Sequence, residues 1–363
     1  MTKRLLSLGE PVSLPHLLSY RNPRFAFGSL GGRFVLLCVV LDPTRADARA
    51  AIAALEEAKV NGKTHVVGLF CGDASAFEDT GLKAIDQSKL VLFDKDRETI
   101  REWRLLDEAA EPGGKWVLLD PSLRVLGLWP IQKSAEALAA LANAPHPNEH
   151  AGVPLHAPVL IAPRIFEPAF CQALIAAYER NGGRPSGTTK ESLDGKTYVS
   201  LDNDFKRRAD YTIEDETIRN DAMHRIYWRL LPQIEKAFSF RATRMERYIV
   251  ACYDAASGGF FRAHRDNTTK GTAHRRFAVT INLNAEDYDG GDLSFPEYGS
   301  RSYRAPTGGA VVFSCSLLHE ATPVTRGKRY AFLPFLYDDA AAKLRAENAK
   351  YLDDSIGGYS NEQ

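Results

Sequence analysis

His264 and Asp266 stand two residues apart in the run FFRAHRDN, and a third candidate ligand, His319, ends the apolar stretch of SCSLLHEATPV. In an extended strand, residues i and i+2 project to the same face, so this imidazole and carboxylate reach one point from a single strand. Two histidines and one carboxylate on one face of an ion, with the other positions open, form the facial triad of non-haem Fe(II) oxygen chemistry. Alone, an H-x-D in a chain with nine histidines reads equally well as a surface ion pair. Arg329, ten residues after His319, changes that balance. Its planar guanidinium can hold the distal carboxylate of 2-oxoglutarate through two bonds while the 2-oxo acid end chelates the metal. Lys328 competes for this role, but strand alternation through Arg329, Ala331 and Leu333 turns Arg329 inward.

Groups so far apart in sequence need a scaffold of short strands. From Arg244 onward the segments RYIVACYD, GFFRAHRD, FAVTINLN, GDLSFPE, RSYRAP, GAVVFSC and RYAFLPFLYD, with Gly-rich turns, predict a β-sandwich or jelly roll. Upstream, residues 167–181 form an amphipathic helix with Pro168 near its start. The polar stretch 182–215 is long enough for a functional loop or lid. A further helix covers about 216–237, with Ile218, Ala222, Ile226 and Leu230 at helical spacing and a break or kink at Pro232.

The first 145 residues alternate strand and helix patterns. FVLLCVVL at 34–41 is a buried strand, followed by the Ala-rich helix RADARAAIAALEEA, the strand HVVGLF at 65–70, the helix AFEDTGLKAI and the strand KLVLFD. In KWVLLDPSLRVLGLWP, Asp120-Pro121-Ser122 turns a hairpin, and SAEALAALANA closes the region as a helix. Residues 142–158, with four prolines and three histidines but no periodicity, read as a linker.

A chain of 363 residues is long enough for two cores. Lys plus Arg equals Asp plus Glu at 46 each, so net charge draws the protein to neither nucleic acid nor an anionic membrane. The five cysteines are scattered, without a CxxC pair, which predicts thiols in a reducing compartment. With no signal-peptide pattern and no apolar run of spanning length, the cytoplasm is the expected location.

Two resemblances follow. ACYDAASGGFFRAHRDN, FAVTINLNAEDYDGGDLSFPEYG and GAVVFSCSLLHEATPVTRGKRYAF resemble the prolyl-4-hydroxylase type of Fe(II)- and 2-oxoglutarate-dependent oxygenase over about residues 244–338. This implies iron on His264, Asp266 and His319, which would also be the catalytic set, and 2-oxoglutarate on Arg329, Tyr253 and Asn282. Tyr253 is otherwise an ordinary core aromatic. Arg275 and Arg276 match a basic group at the substrate mouth, or form a solvated charged face. Asn267 is a secondary substrate candidate, and His274 is expected to be exposed in its Lys/Gly/Thr loop. The N-terminal region resembles the thioredoxin-like fold in its peroxiredoxin variety, but Asp47 stands where the peroxide-attacking cysteine belongs. Cys38 lies within a strand and Cys71 in a loop after the next, where burial is the plainer reading of each.

The expected architecture is therefore a non-catalytic α/β thioredoxin-like domain at 1–145, a linker at 146–158 and an oxygenase domain at 159–363. Its core, at about 244–338, would be a double-stranded β-helix flanked by helices. The resemblance implies hydroxylation of an unactivated C–H in an amino-acid, peptidyl or small-molecule substrate, using O2 and releasing succinate and CO2, with ascorbate as a reductant. Asp266 speaks against a halogenase, in which a small residue vacates that site for chloride. No nucleic-acid or membrane partner is expected, and a homodimer through the first domain is. The alternatives are a non-catalytic sensor or docking module that binds metal or 2-oxoglutarate, and a thiol peroxidase working through Cys71.

Overall fold

The structure is a computed structural model that describes residues 4–59, 62, 64–74, 82–105, 107, 110–192 and 194–353. It divides into two compact units, one of residues 1–156 with 296–300, the other of 157–295 with 301–363.

The first unit is built on a seven-stranded sheet in the order Phe25–Ala26, His16–Ser19, Leu90–Phe93, Thr64–Phe70, Phe34–Val40, Gly114–Leu119, Val125–Pro130. The three central strands from Leu90, Thr64 and Phe34 run parallel, and the hairpin after Gly114 extends the sheet antiparallel. Phe34–Val40 is buried along its whole length because both sheet faces are covered, so its sequence is a continuous apolar run rather than an alternation. Val35, Leu37 and Val39 enter one core with Ile100 and Trp103. Phe34, Leu36, Cys38 and Val40 enter the other, against Ala48, Ala51 and Leu55 of helix Ala46–Glu57 and Ala137 and Leu141 of helix Ser134–Ala142. This is the element order that the thioredoxin-like resemblance implies. The predicted helix AFEDTGLKAI lies partly outside the described residues; its described part is Leu82–Ser88. All five cysteines are buried, and at the resemblance's cysteine position the Asp47 carboxylate is held by Arg45 and by Gln132 Nε2 at 2.8 Å.

The second unit is sheet-rich. A nine-stranded path orders Arg244–Glu246, Phe335–Tyr337, Phe277–Asn282, Lys328–Phe332, Ile249–Asp254, Ala209–Thr212 and Arg184–Pro185, with Ala310–Ser314 and Leu160–Ala162 joined beside Phe277–Asn282. A five-stranded sheet orders Lys206–Arg207, Phe260–His264, His319–Ala321, Leu293–Ser294 and Ser302–Tyr303. Ala251 and Tyr253 of the larger sheet and Ala321 of the smaller share one apolar cluster with Tyr288 and Val324. Helix Pro168–Asn181 starts with its proline in the first turn, where no N–H is needed, and stops at Gly182, whose φ of +73° suits glycine. Its Leu174 and Tyr178 pack into the larger sheet's core.

Two expectations change here. Stretch 182–215 is not a single loop: it supplies the hairpin Thr188–Glu191 with Thr197–Ser200 and three short strands at or next to sheet edges. Its side chains are polar because edge strands face solvent on one side, which hides the strand pattern. The helix from Glu216 does not break at Pro232. It passes through a π-helical turn, Ile226–Leu230, and continues as Leu231–Phe238, the wider turn accommodating a ring that lacks an N–H. The helix start is set by Asp215, whose carboxylate accepts from the N–H groups of Thr217 and Ile218.

Candidate metal and carboxylate site

Strand Phe260–His264 pairs antiparallel with His319–Ala321, in a register that sets His264 opposite His319. Asp266 lies just past the strand end, its N–H donated to Cys315 O at 2.9 Å, so the turn folds back over the strand leading to His319. Side chains 53 residues apart in the chain therefore converge. Asp266 Oδ1 is 3.5 Å from His264 Nε2 and Oδ2 is 3.4 Å from His319 Nε2. All three ligand atoms lie within 4.8 Å of one another. Neighbouring donors on one ion with bonds of about 2.1 Å come to roughly 3 Å apart, so small side-chain shifts close the set around a cation.

The ring orientations suit that task. His264 Nδ1 lies 2.7 Å from Arg262 O and His319 Nδ1 lies 3.0 Å from Leu317 O. Each Nδ1–H donates to a peptide carbonyl, which leaves each Nε2 lone pair turned toward Asp266. Burial, reinforced by His264, lowers His319 to about 4, so its imidazole is neutral and able to ligate at neutral pH. Burial alone raises the Asp266 pKa, but His319 and His264 outweigh it and hold the carboxyl far below its ordinary value. Phe261 stacks on His264 at 3.5 Å between centroids, and Phe313 lies 4.5 Å from His319. These rings limit water at the ligands.

Arg329 belongs to the larger sheet. Along Lys328–Phe332 the alternation is as expected: Lys328 is exposed near Glu179 and Asp254, and Arg329 is 2% exposed. The guanidinium rests 4.8 Å over the ring of Tyr253, its partner in register. Its Nε and Nη1 have no hydrogen-bond partner. A buried cationic donor left unpaired costs on the order of 1–3 kcal/mol or more, and so marks a place built for an acceptor that arrives from outside the chain.

The other candidates are placed as follows. The Tyr253 hydroxyl accepts from Arg208 Nη1 at 3.3 Å. Asn282 is buried, and its Nδ2 is spent on Ala305 O at 2.7 Å. Asn267 sits half-buried in the turn after Asp266. Arg275 does not stand at a mouth; it is buried, donates Nε to Glu246 Oε1 at 2.7 Å and packs over Phe335. Arg276 is half-buried, with Nη1 bonded to Ala273 O. His274 is fully buried rather than exposed, because Glu246 Oε2, 3.0 Å from its Nε2, draws it inward. Glu246, paired with both, has its carboxyl at about 2: burial raises it, and Arg275 and His274 more than reverse that.

Several nearby groups were not singled out from sequence. Lys206 pairs in register with Phe261, lies 4.7 Å over that ring and donates to Ser186 Oγ and Gly187 O, both at 2.7 Å. Arg208 is held by both oxygens of Asp210 at 2.7 Å. The run DFKRRADY lies in the polar stretch 182–215, and only its strand pairing turns these residues toward the site. Tyr288, one of the largest fully buried side chains, stands two residues before the double glycine.

Residues 248–337 match the 2OG-Fe(II) oxygenase superfamily. A PKHD-type hydroxylase from Synechococcus is 32% identical over 112 residues, which cover 28% of this chain and 49% of that protein. The chain thus spans about half the length of this relative. Among solved structures, a prolyl-4-hydroxylase from Pseudomonas putida aligns at 18% identity and a TM-score of 0.38, covering 50% of this chain and 93% of that one. A DsbF homologue from Corynebacterium diphtheriae aligns at 16% identity and a TM-score of 0.33, covering 40% of this chain and 95% of that one. The two histidines, the aspartate and the buried guanidinium all lie within the residues that match the 2OG-Fe(II) oxygenase superfamily.

Proposed function

We propose that the second unit is an Fe(II)- and 2-oxoglutarate-dependent hydroxylase in which His264, Asp266 and His319 hold the metal and Arg329 the distal carboxylate of 2-oxoglutarate. The observation that carries this reading is the buried, unpartnered Nε and Nη1 of Arg329 in the same unit as a converged His/Asp/His set. A guanidinium edge matches a carboxylate in charge, planarity and spacing. The donor set suits a divalent ion that keeps open positions, because three side chains from one side leave the other side for co-substrate.

Bound iron and 2-oxoglutarate supply the oxidation: O2 is consumed, one oxygen atom goes to a substrate C–H as hydroxyl, and succinate and CO2 leave. The chain's own work is placement. Asp266 stays anionic and the His319 imidazole neutral at neutral pH, so metal entry does not have to displace a proton from His319. Phe261 and Phe313 keep the ligating rings dry, and Tyr253 supports the guanidinium face-on. The substrate is an amino-acid side chain, a peptide or another small molecule, and Asn267 and Arg276 stand on the segment between Asp266 and the next strand that would meet it.

The same reading assigns 159–363 to a jelly-roll oxygenase domain with its core at about 244–338, and 146–158 to a linker. Residues 1–145 would be a thioredoxin-like docking or dimerisation domain without catalytic thiols. Anaerobic addition of 2-oxoglutarate to the Fe(II)-loaded protein tests the central assignment. A weak visible charge-transfer band is expected, with its loss in His264→Ala; no band from the unaltered protein would end the proposal.

A further inference from the structure

The second strand of the site carries Asn282 where the oxygenase resemblance puts a co-substrate hydrogen bond, but one of the two N–H groups of its amide is already taken. Its Nδ2 donates to Ala305 O at 2.7 Å, and a flipped amide would set oxygen against oxygen. The remaining Oδ1 has no donor and would repel a carboxylate. Six residues on, Tyr288 is 1% exposed and its hydroxyl has no hydrogen-bond partner. Burying a phenol without a partner costs on the order of 1–3 kcal/mol, so this group and the Arg329 edge pose the same question.

The two are neighbours. A Cβ placed on Gly291 would meet Arg329 Cδ at 3.0 Å and Tyr288 Cε2 at 3.5 Å, so the two side chains border the same small space beside this glycine. Tyr288 shares an apolar cluster with Tyr253, whose ring lies under the Arg329 guanidinium. The Tyr288 ring is itself fixed. Arg304 lies 4.4 Å over it, and that guanidinium is tied to Ala285 O, Tyr288 O and Gly290 O. Burial raises the phenol's pKa against the opposing effect of Arg329, so at neutral pH it is a donor.

We infer that the Tyr288 hydroxyl donates to the distal carboxylate of 2-oxoglutarate beside Arg329. This rests on the oxygenase reading and adds one binding residue to it. A carboxylate has about four acceptor positions, enough for two guanidinium N–H groups and one O–H. One acid thereby gives a partner to both buried side chains.

The test compares the unaltered protein with Tyr288→Phe, each loaded with Fe(II) without oxygen and titrated with 2-oxoglutarate and with 2-oxopentanoate. The second acid keeps the 2-oxo acid end and the chain length but ends in methyl. Tyr288→Phe is expected to weaken 2-oxoglutarate by about ten- to a hundredfold, the range for a hydrogen bond to a charged group. Its affinity for 2-oxopentanoate and for Co(II), followed by the cobalt visible spectrum, should stay within about twofold. Equal 2-oxoglutarate affinity in the two proteins overturns the inference, as does an equal loss for both acids, which would indicate a packing role. Failure of the unaltered protein to bind 2-oxoglutarate at all removes the oxygenase reading instead.

Discussion

Arg329 and Tyr253 face each other across paired strands, guanidinium over ring at 4.8 Å, with two of the arginine's donors unsatisfied. The ring offers a cation a favourable surface but accepts no directed hydrogen bond from the guanidinium edge. Arg329→Met should therefore raise the dissociation constant for 2-oxoglutarate by roughly a hundredfold or more. In the absence of co-substrate it should leave the melting temperature unchanged or higher, since a flexible apolar side chain replaces an unpaired buried charge. Calorimetric titration and thermal melts of one preparation check both halves; a large drop in melting temperature would contradict the account of an orphaned guanidinium.

The metal set predicts a different pattern. His319→Ala or Asp266→Ala should weaken Fe(II) or Co(II) by at least about a hundredfold, because each removes one of three protein ligands. Binding of metal to Arg329→Met should be unaffected. Equilibrium dialysis with metal analysis separates the two classes of variant.

Gly291 has φ +68°, and a side chain there would press on Val324 Cγ2 at 2.8 Å and Arg329 Cδ at 3.0 Å. Gly291→Ala is expected to cost about 1–3 kcal/mol of stability and to weaken 2-oxoglutarate while sparing the metal. Denaturant unfolding gives the first quantity and co-substrate titration the second.

Glu246 makes acid stability a readable quantity. Its carboxyl titrates at about 2 when folded against an ordinary 4.5, so it contributes stability above pH 4.5 that is lost as pH falls toward 2. The difference amounts to about 3 kcal/mol as an order of magnitude. Glu246→Gln should be less stable by about that amount at neutral pH, with the gap narrowing between pH 4.5 and 2. A gap that stays constant across that range would show that Glu246 does not carry the titration.

In the first unit, all five thiols of the chain being buried, peroxide consumption should not exceed that of Cys71→Ser. Coupled peroxidase assays on the two proteins decide this.

What was legible in the sequence follows physical lines. His264 and Asp266 could be read from their spacing, although Asp266 is brought to His264 by the turn just past the strand rather than by strand alternation, and Arg329 could be read because Lys328 must then face out. His319 was found by its place at the end of an apolar run. The inward turn of His274 and Arg275 was not legible, because their partner Glu246 lies on another strand and only pairing of Arg244–Glu246 with Phe335–Tyr337 brings it near. The strands within 182–215 were hidden for a related reason: Lys206 and Arg208 are polar residues whose burial depends on Ser186, Asp210 and Phe261. Tyr288 needed the observation that Asn282 is already engaged.

The carbonyls that orient the two imidazoles belong to Arg262 and Leu317, each two residues before the histidine it holds. A peptide oxygen cannot be mutated away. On the proposed function, side chains that meet the substrate are thus free to diverge without disturbing how the two imidazoles are aimed, which makes the pair of strands a reusable chassis for different specificities.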